Sequence, residues 1–143
     1  MGKFDDYIGV QPQVKELLSK MADAMAGDMV MVITPETVTP EPTSAVWTRT
    51  VLIEIQNAAG EVHDWLNDTY TTTASVGDTS TAGTATIPST TLTLVNGKAE
   101  IVVSGDAEDW LNTETDTLTI GNLTIMGYTV TGGTSVETFT TPA

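Results

Sequence analysis

The pair Asn96-Gly97 stands between two runs in which apolar and polar side chains alternate, and this stretch, Thr90 to Ser104, constrains the fold more than any other. Leu92 and Leu94 alternate with threonines before the pair; Ala99, Ile101 and Val103 alternate with Lys98 and Glu100 after it. A type I′ turn needs positive φ at both central residues, and Asn and Gly tolerate that best, so the pattern predicts a β-hairpin with one apolar face per arm. A lone hairpin is marginal in water. More sheet has to cover those faces, which predicts a β-sandwich.

Composition points the same way. Threonine makes up roughly a fifth of the 143 residues, and β-branched side chains suit pleated, half-buried surfaces better than helices. With 40% hydrophobic residues and a mean hydropathy of +0.03, the chain is neither disordered nor membranous in character. Its length suits one ordinary domain plus an appendage.

The net charge is −14 with five basic residues, and beyond Met21 the only ones are Arg49 and Lys98. Nucleic-acid binding needs a basic footprint that this sequence lacks. The acidity reads as solubility and repulsion between copies, with specific calcium binding as the lesser alternative. With no cysteine, neither a disulfide framework nor a thiolate metal site is available. The opening MGKFDDYIGV has acids where a signal peptide needs an apolar core, and no run is long enough to span a bilayer. The expectation is synthesis in the cytoplasm of the producing cell and no membrane partner.

Residues 1–33 differ in kind from the rest. Pro12 suits a first helical turn, Val14, Leu17, Leu18, Met21 and Met25 recur at helical spacing, and Gly27 fits a C-terminal cap. Met29 to Ile33 is a continuous apolar run, expected as a strand buried on both faces, and Phe4, Tyr7 and Ile8 add apolar surface before the helix. So small a unit does not bury its own stripe. It either packs on the sandwich or docks on another subunit. Thr34 to Ala45, with three prolines and no periodicity, reads as a semi-rigid spacer and favours docking. The expected organisation is an anchor over 1–33, a linker over 34–45 and a β-sandwich over 46–143.

From Val46 onward the sequence predicts strands at short intervals: Val51 to Gln56, Val62 to Asn67, Thr69 to Val76, a weaker one over Thr81 to Ile87, then the central hairpin. Gly105 to Thr115 reads as a loop, and strands around Leu118–Ile120, Leu123 to Val130 and Ser135 to Thr140 complete the set. The tetrapeptide Asp-Trp-Leu-Asn occurs at 64–67 and again at 109–112 without longer alignment, so it reads as coincidence and not duplication. Both tryptophans are expected to cap the core.

No pattern in the chain demands catalysis, and the expectation is a non-enzyme without cofactor or metal. His63 beside Asp64 has no Gly-x-Ser-x-Gly turn and no second histidine to work with. Asp106, Glu108 and Asp109 crowd one loop but lack the alternation and glycine of an EF-hand. Gly132-Gly133 lacks the lysine and helix of a phosphate-binding loop.

The stretch Arg49 to Thr140 resembles the immunoglobulin-like domains of tailed-bacteriophage virion proteins, and more distantly invasin- and intimin-type repeats. The residues that carry the likeness are the strand ending in Asn57-Ala58-Ala59-Gly60-Glu61-Val62, the Asn96-Gly97-Lys98-Ala99 turn, and the tryptophan within Gly105 to Leu111. The resemblance implies a mainly β, Ig-like antiparallel sandwich with a short N-terminal helical anchor. It further implies a structural role on a virion exterior, as a capsid decoration or head-fibre protein gripping the major capsid protein or another virion subunit. The anchor residues would then be Phe4, Tyr7, Ile8, Val14, Leu17, Leu18, Met21 and Met25. Two alternatives stay open: a module binding carbohydrate or a host surface through exposed loop aromatics, and a homo-trimeric fibre built on the methionine and leucine stripe.

Overall fold

A computed structural model describes residues 29–143 of the chain. The expected helix and all eight anchor residues, from Phe4 to Met25, lie outside the described residues.

In chain order the strands are β1 (Val30–Pro35), β2 (Trp47–Gln56), β3 (Asp68–Thr71), β4 (Ala74–Asp78), β5 (Ala85–Thr86) and β6 (Thr91–Leu94). β7 (Lys98–Gly105), β8 (Thr115–Ile120), β9 (Leu123–Ile125), β10 (Tyr128–Val130) and β11 (Gly133–Thr138) follow. One sheet has the order β1-β2-β7-β5, a second β11-β8-β4, and two short pairs, β3-β6 and β9-β10, extend the arrangement. Every pairing is antiparallel. The described chain is thus mainly β, in a form consistent with a β-sandwich.

Alternation sets which face each strand buries. On β2, Arg49, Val51, Ile53 and Ile55 point inward while the residues between them are half exposed. Ala99, Ile101 and Val103 of β7 do the same from the neighbouring strand, and Leu118 and Ile120 of β8 face them from the second sheet. Leu92, Leu94, Leu123, Ile125 and Phe139 complete a continuous core. Each fully buried side chain of this size is worth about 1.5–3 kcal/mol of transfer free energy.

The Asn96-Gly97 turn forms as the sequence predicts. Asn96 has φ 53° and Gly97 φ 76°, and Val95 and Lys98 exchange backbone hydrogen bonds of 2.8 and 3.1 Å across the turn. A side chain at Gly97 would collide with the His63 carbonyl. The two arms, however, do not stay together. β6 pairs with β3, whereas β7 lies between β2 and β5, so the turn is a corner between sheets and not the end of a long hairpin. The reason is that other segments claim the turn's backbone: Gly97 N–H donates to the Leu66 carbonyl at 2.9 Å and Ile55 N–H to the Gly97 carbonyl at 3.0 Å.

Other boundaries also shift. Val62 to Asn67 is a loop with one bridge, Gln56–Val62. The expected strand over Thr69–Val76 breaks at Thr72-Thr73, where Thr73 accepts from Gly121 N–H at 2.7 Å and the strand changes partner from β6 to β8. The run Leu123–Val130 folds back at Met126-Gly127, with φ 51° and 82°, giving β9 and β10. Only Ala85–Thr86 of Thr81–Ile87 is strand.

The apolar run Met29–Ile33 was expected to be buried on both faces. Instead β1 is an edge strand that pairs with β2 along its whole length, from Val30↔Gln56 to Pro35↔Val51. Its inner residues Met31 and Ile33 pack on the core, while Val30 is 49% exposed. The proline-rich stretch is likewise not a free spacer. Glu36 N–H donates to the Thr50 carbonyl at 3.0 Å, Thr43 exchanges hydrogen bonds of 3.0 and 2.9 Å with Trp110, and Thr140 N–H reaches the Pro40 carbonyl at 3.0 Å. Prolines remove donors but leave carbonyls, and here those carbonyls and the intervening amides strap the segment to the body.

Candidate functional site: the buried ion pair and the Trp65 end

The most chemically unusual group in the interior is a charge. Arg49 shares the inward register of Val51, Ile53 and Ile55, and Asp116 that of Leu118 and Ile120, so alternation drives both into the space between the sheets. Their accessibilities are 4% and 0%. Arg49 Nε donates to both Asp116 oxygens at 2.9 and 3.1 Å, Nη2 reaches Oδ1 at 2.5 Å, and Nη1 donates to Ser135 Oγ at 3.2 Å. A further bond joins Nη2 to the Ser135 carbonyl at 3.3 Å.

Burial pushes the Asp116 carboxyl above its ordinary value, while the hydrogen bonds and charge of Arg49 pull it back. Every guanidinium nitrogen donates to this shell, and neither recess described below is lined by Arg49 or Asp116. The arrangement is a cross-sheet clamp.

Apart from exposed Glu108, the acids of the Gly105–Thr115 region and nearby Asp78 are engaged in holding loops. Asp106 Oδ1 accepts Thr84 N–H at 2.9 Å, and Asp109 Oδ1 accepts the Ser44 hydroxyl at 2.6 Å. Asp78 takes the Ser80 and Ala85 amides at 3.2 and 2.9 Å. The Glu114 carboxylate accepts Leu111 N–H at 2.8 Å and Thr81 N–H at 3.2 Å, and the first of these bonds is the main cause that holds it below the usual carboxylate range. Among the described residues, no group of three or more His, Asp or Glu is placed to hold a metal ion.

The two copies of Asp-Trp-Leu-Asn are used in opposite senses. In the second, Trp110 is buried, stacked on Phe139 at 5.2 Å and perpendicular to Trp47 at 5.0 Å, while Leu111 is 52% exposed. In the first, Leu66 enters the core and Trp65 is 46% exposed. The expectation that both tryptophans cap the core therefore holds for Trp110 and fails for Trp65. A tight bend, with Asp64 N–H on the Val62 carbonyl at 2.9 Å and Leu66 N–H on the His63 carbonyl at 3.1 Å, turns Leu66 inward and leaves the indole outside. His63 lies edge-on to that indole at 5.7 Å. An exposed tryptophan in a fixed loop is suited to stacking against an apolar or sugar face.

A shallow, open recess of about 500 Å³ among the described residues is lined by Thr72, Thr73, Ala74, Thr90 and Asn122, and a smaller one of about 320 Å³ by Leu52, Thr93, Val95, Lys98, Ala99 and Glu100. The larger carries hydroxyls and an amide without a charged or aromatic group. Sequence reasoning missed the clamp, although its signal was present: Arg49 is the one arginine at an inward position of a strand otherwise filled by Val and Ile. Trp65 could be separated from Trp110 only by knowing which way each loop bends.

Neither a protein-family model nor a curated protein sequence matches this chain.

Proposed function

We propose that the chain is a non-enzymatic structural protein, an immunoglobulin-like domain displayed on a virion surface and held there by its leading segment. Strand order is what supports the fold assignment. Numbered along the chain, β1, β2, β7 and β5 take the places of strands A, B, E and D, and β4, β8 and β11 those of C, F and G, the two-sheet order of an immunoglobulin constant-type sandwich. Arg49 and Asp116 then sit on strands B and F, the pair that a disulfide joins in antibody domains. The departures are the two added pairs, β3-β6 and β9-β10, and the absence of cysteine.

The observation that supports a display role is the self-sufficiency of the body. Residues Met29 to Phe139 build a continuous core, and Asp78, Asp106, Asp109, Glu114 and the clamp are occupied by internal partners. On this reading the apolar stripe that the sequence places at Val14, Leu17, Leu18, Met21 and Met25 is what grips a neighbour. Because the linker is strapped to the body, the leading segment on this reading is residues 1–28, joined directly to edge strand β1.

The test is cosedimentation of the full chain with assembled virus particles depleted of it, comparing wild type with Leu17→Asp/Met21→Asp. Loss of binding in the double variant at an unchanged melting temperature is expected; undiminished binding defeats the anchor. A second reading, carbohydrate or host-surface binding, is favoured by exposed Trp65, and glycan binding by the chain that disappears in Trp65→Ala would favour it.

A further inference from the structure

The Asn96-Gly97 turn holds the most reactive asparagine of the sequence. Asparagine is thermolabile because the amide nitrogen of the following residue can attack its side-chain Cγ, and glycine places no side chain in the way of that attack. Asn96 is the one asparagine followed by glycine; Asn57, Asn67, Asn112 and Asn122 precede Ala, Asp, Thr and Leu.

The fold treats Asn96 differently from those four. The side-chain oxygen of Asn57 accepts the Ala59 and Glu61 amides at 3.0 and 2.9 Å, and that of Asn67 accepts the Asn96 amide at 2.8 Å. Those of Asn112 and Asn122 accept the Thr141 and Gly132 amides at 3.1 and 2.9 Å. Asn96 is exposed, and no hydrogen bond holds its carboxamide among the described residues. The attacking nitrogen is withheld instead. Gly97 is buried, its N–H donates to the Leu66 carbonyl at 2.9 Å, and its own carbonyl accepts Ile55 N–H at 3.0 Å. On either side, Asn96 N–H is tied to Asn67 and the bonds between Val95 and Lys98 close the turn at φ 53° and 76°. A buried, hydrogen-bonded N–H is closed to the base that must take its proton, and a pinned peptide plane does not swing its nitrogen onto Cγ.

We propose that Asn96 is a conformationally gated deamidation site, silent while the corner between β6 and β7 is closed and reactive each time it opens. In the open state the Gly97 nitrogen gives up its proton and bonds to Asn96 Cγ, the carboxamide nitrogen leaves as ammonia, and a cyclic imide forms. Water opens the imide at either carbonyl to aspartate or isoaspartate, with no oxidation or reduction. In isoaspartate the main chain runs through Cβ and Cγ and is one atom longer, so Gly97 no longer meets both Leu66 and Ile55. That product keeps the corner open, and the step is one-way.

The test incubates the full-length chain in mildly alkaline buffer, native and in denaturant, and maps the one-mass-unit gain and the isoaspartate content by peptide mass spectrometry. Asn96 is expected to convert ahead of the other four asparagines in denaturant, and about tenfold or more slower in the native chain, because native conversion tracks the open fraction. Asn67→Ala removes the bond to Asn96 N–H and is expected to speed native conversion; Asn67→Asp keeps an acceptor oxygen and should hold the wild-type rate. Isolated isoaspartate chain should melt several degrees below wild type. Equal native and denatured rates in the wild-type chain, which need no variant, overturn the gate, and so does a native Asn67→Ala rate equal to that of wild type. A different asparagine leading in denaturant overturns the site. An isoaspartate chain that melts with wild type overturns the one-way step.

Discussion

Arg49 on β2 and Asp116 on β8 face each other across the two sheets, joined by guanidinium–carboxylate contacts of 2.5, 2.9 and 3.1 Å in a buried site. A buried pair of this kind contributes little relative to a well-packed apolar replacement, because desolvation offsets the attraction. Breaking it is another matter, since one charge is left buried alone.

Arg49→Leu is therefore expected to cost about 3–5 kcal/mol at neutral pH, whereas Arg49→Leu/Asp116→Leu stays close to wild type or exceeds it. Denaturant unfolding of the two variants checks this. The sign of the pH dependence is also fixed. Removing Arg49 takes away what pulls the Asp116 carboxyl down, so its folded value rises further above the unfolded one. The single variant should then be most stable at acid pH, where Asp116 is protonated, and lose stability as pH rises through the raised value.

Glu114 titrates in the opposite sense. Its carboxylate is held below the usual range, chiefly by the Leu111 amide, so the stability it contributes is complete above the unfolded carboxylate value and is lost as pH falls through the lower folded one. Glu114→Gln should flatten that acid limb of the stability profile and leave the profile's shape above it unchanged. Thermal melts at stepped pH read the difference.

Two of the turns with positive φ make a paired prediction. Gly97→Ala meets both an unfavourable backbone angle, φ 76°, and the His63 carbonyl, so it is expected to cost about 1–3 kcal/mol. Met126→Gly at φ 51° relieves strain in open solvent and should stabilise by about 0.5–1 kcal/mol. Chemical denaturation of both variants tests the turn geometry directly.

Tryptophan burial gives a further contrast. Trp110→Ala removes a side chain packed between Trp47 and Phe139 and should cost about 3–5 kcal/mol. Trp65→Ala should change stability by no more than about 0.5 kcal/mol. Equal effects would mean that the first Asp-Trp-Leu-Asn loop bends as the second does.

These contrasts mark where the sequence was legible. Period-two alternation identified the inner faces of β2, β6, β7 and β8, because a half-buried strand leaves no other way to place Val51, Ile53, Leu92, Leu94, Ile101 and Leu118. The Asn-Gly pair disclosed its own turn type. What it did not disclose was partner choice: whether β6 continues beside β7 is decided by Leu66 and Ile55, residues far away in sequence. The Thr34–Ala45 strap was hidden for a related reason, since proline carbonyls find acceptors' work only when a distant amide such as that of Thr140 arrives. The Arg49 clamp was visible as a charge in an apolar register, but only the pairing of β8 with β11 brings Asp116 and Ser135 to it.

The division of labour between a self-contained β body and a gripping leading segment is tested most directly by the fragment Met29–Ala143, measured for thermal unfolding and for cosedimentation with depleted particles beside the full chain. The account predicts a cooperative melt within a few degrees of the full chain and loss of most particle binding. A fragment that fails to fold, or one that binds as well as the full chain, would contradict it.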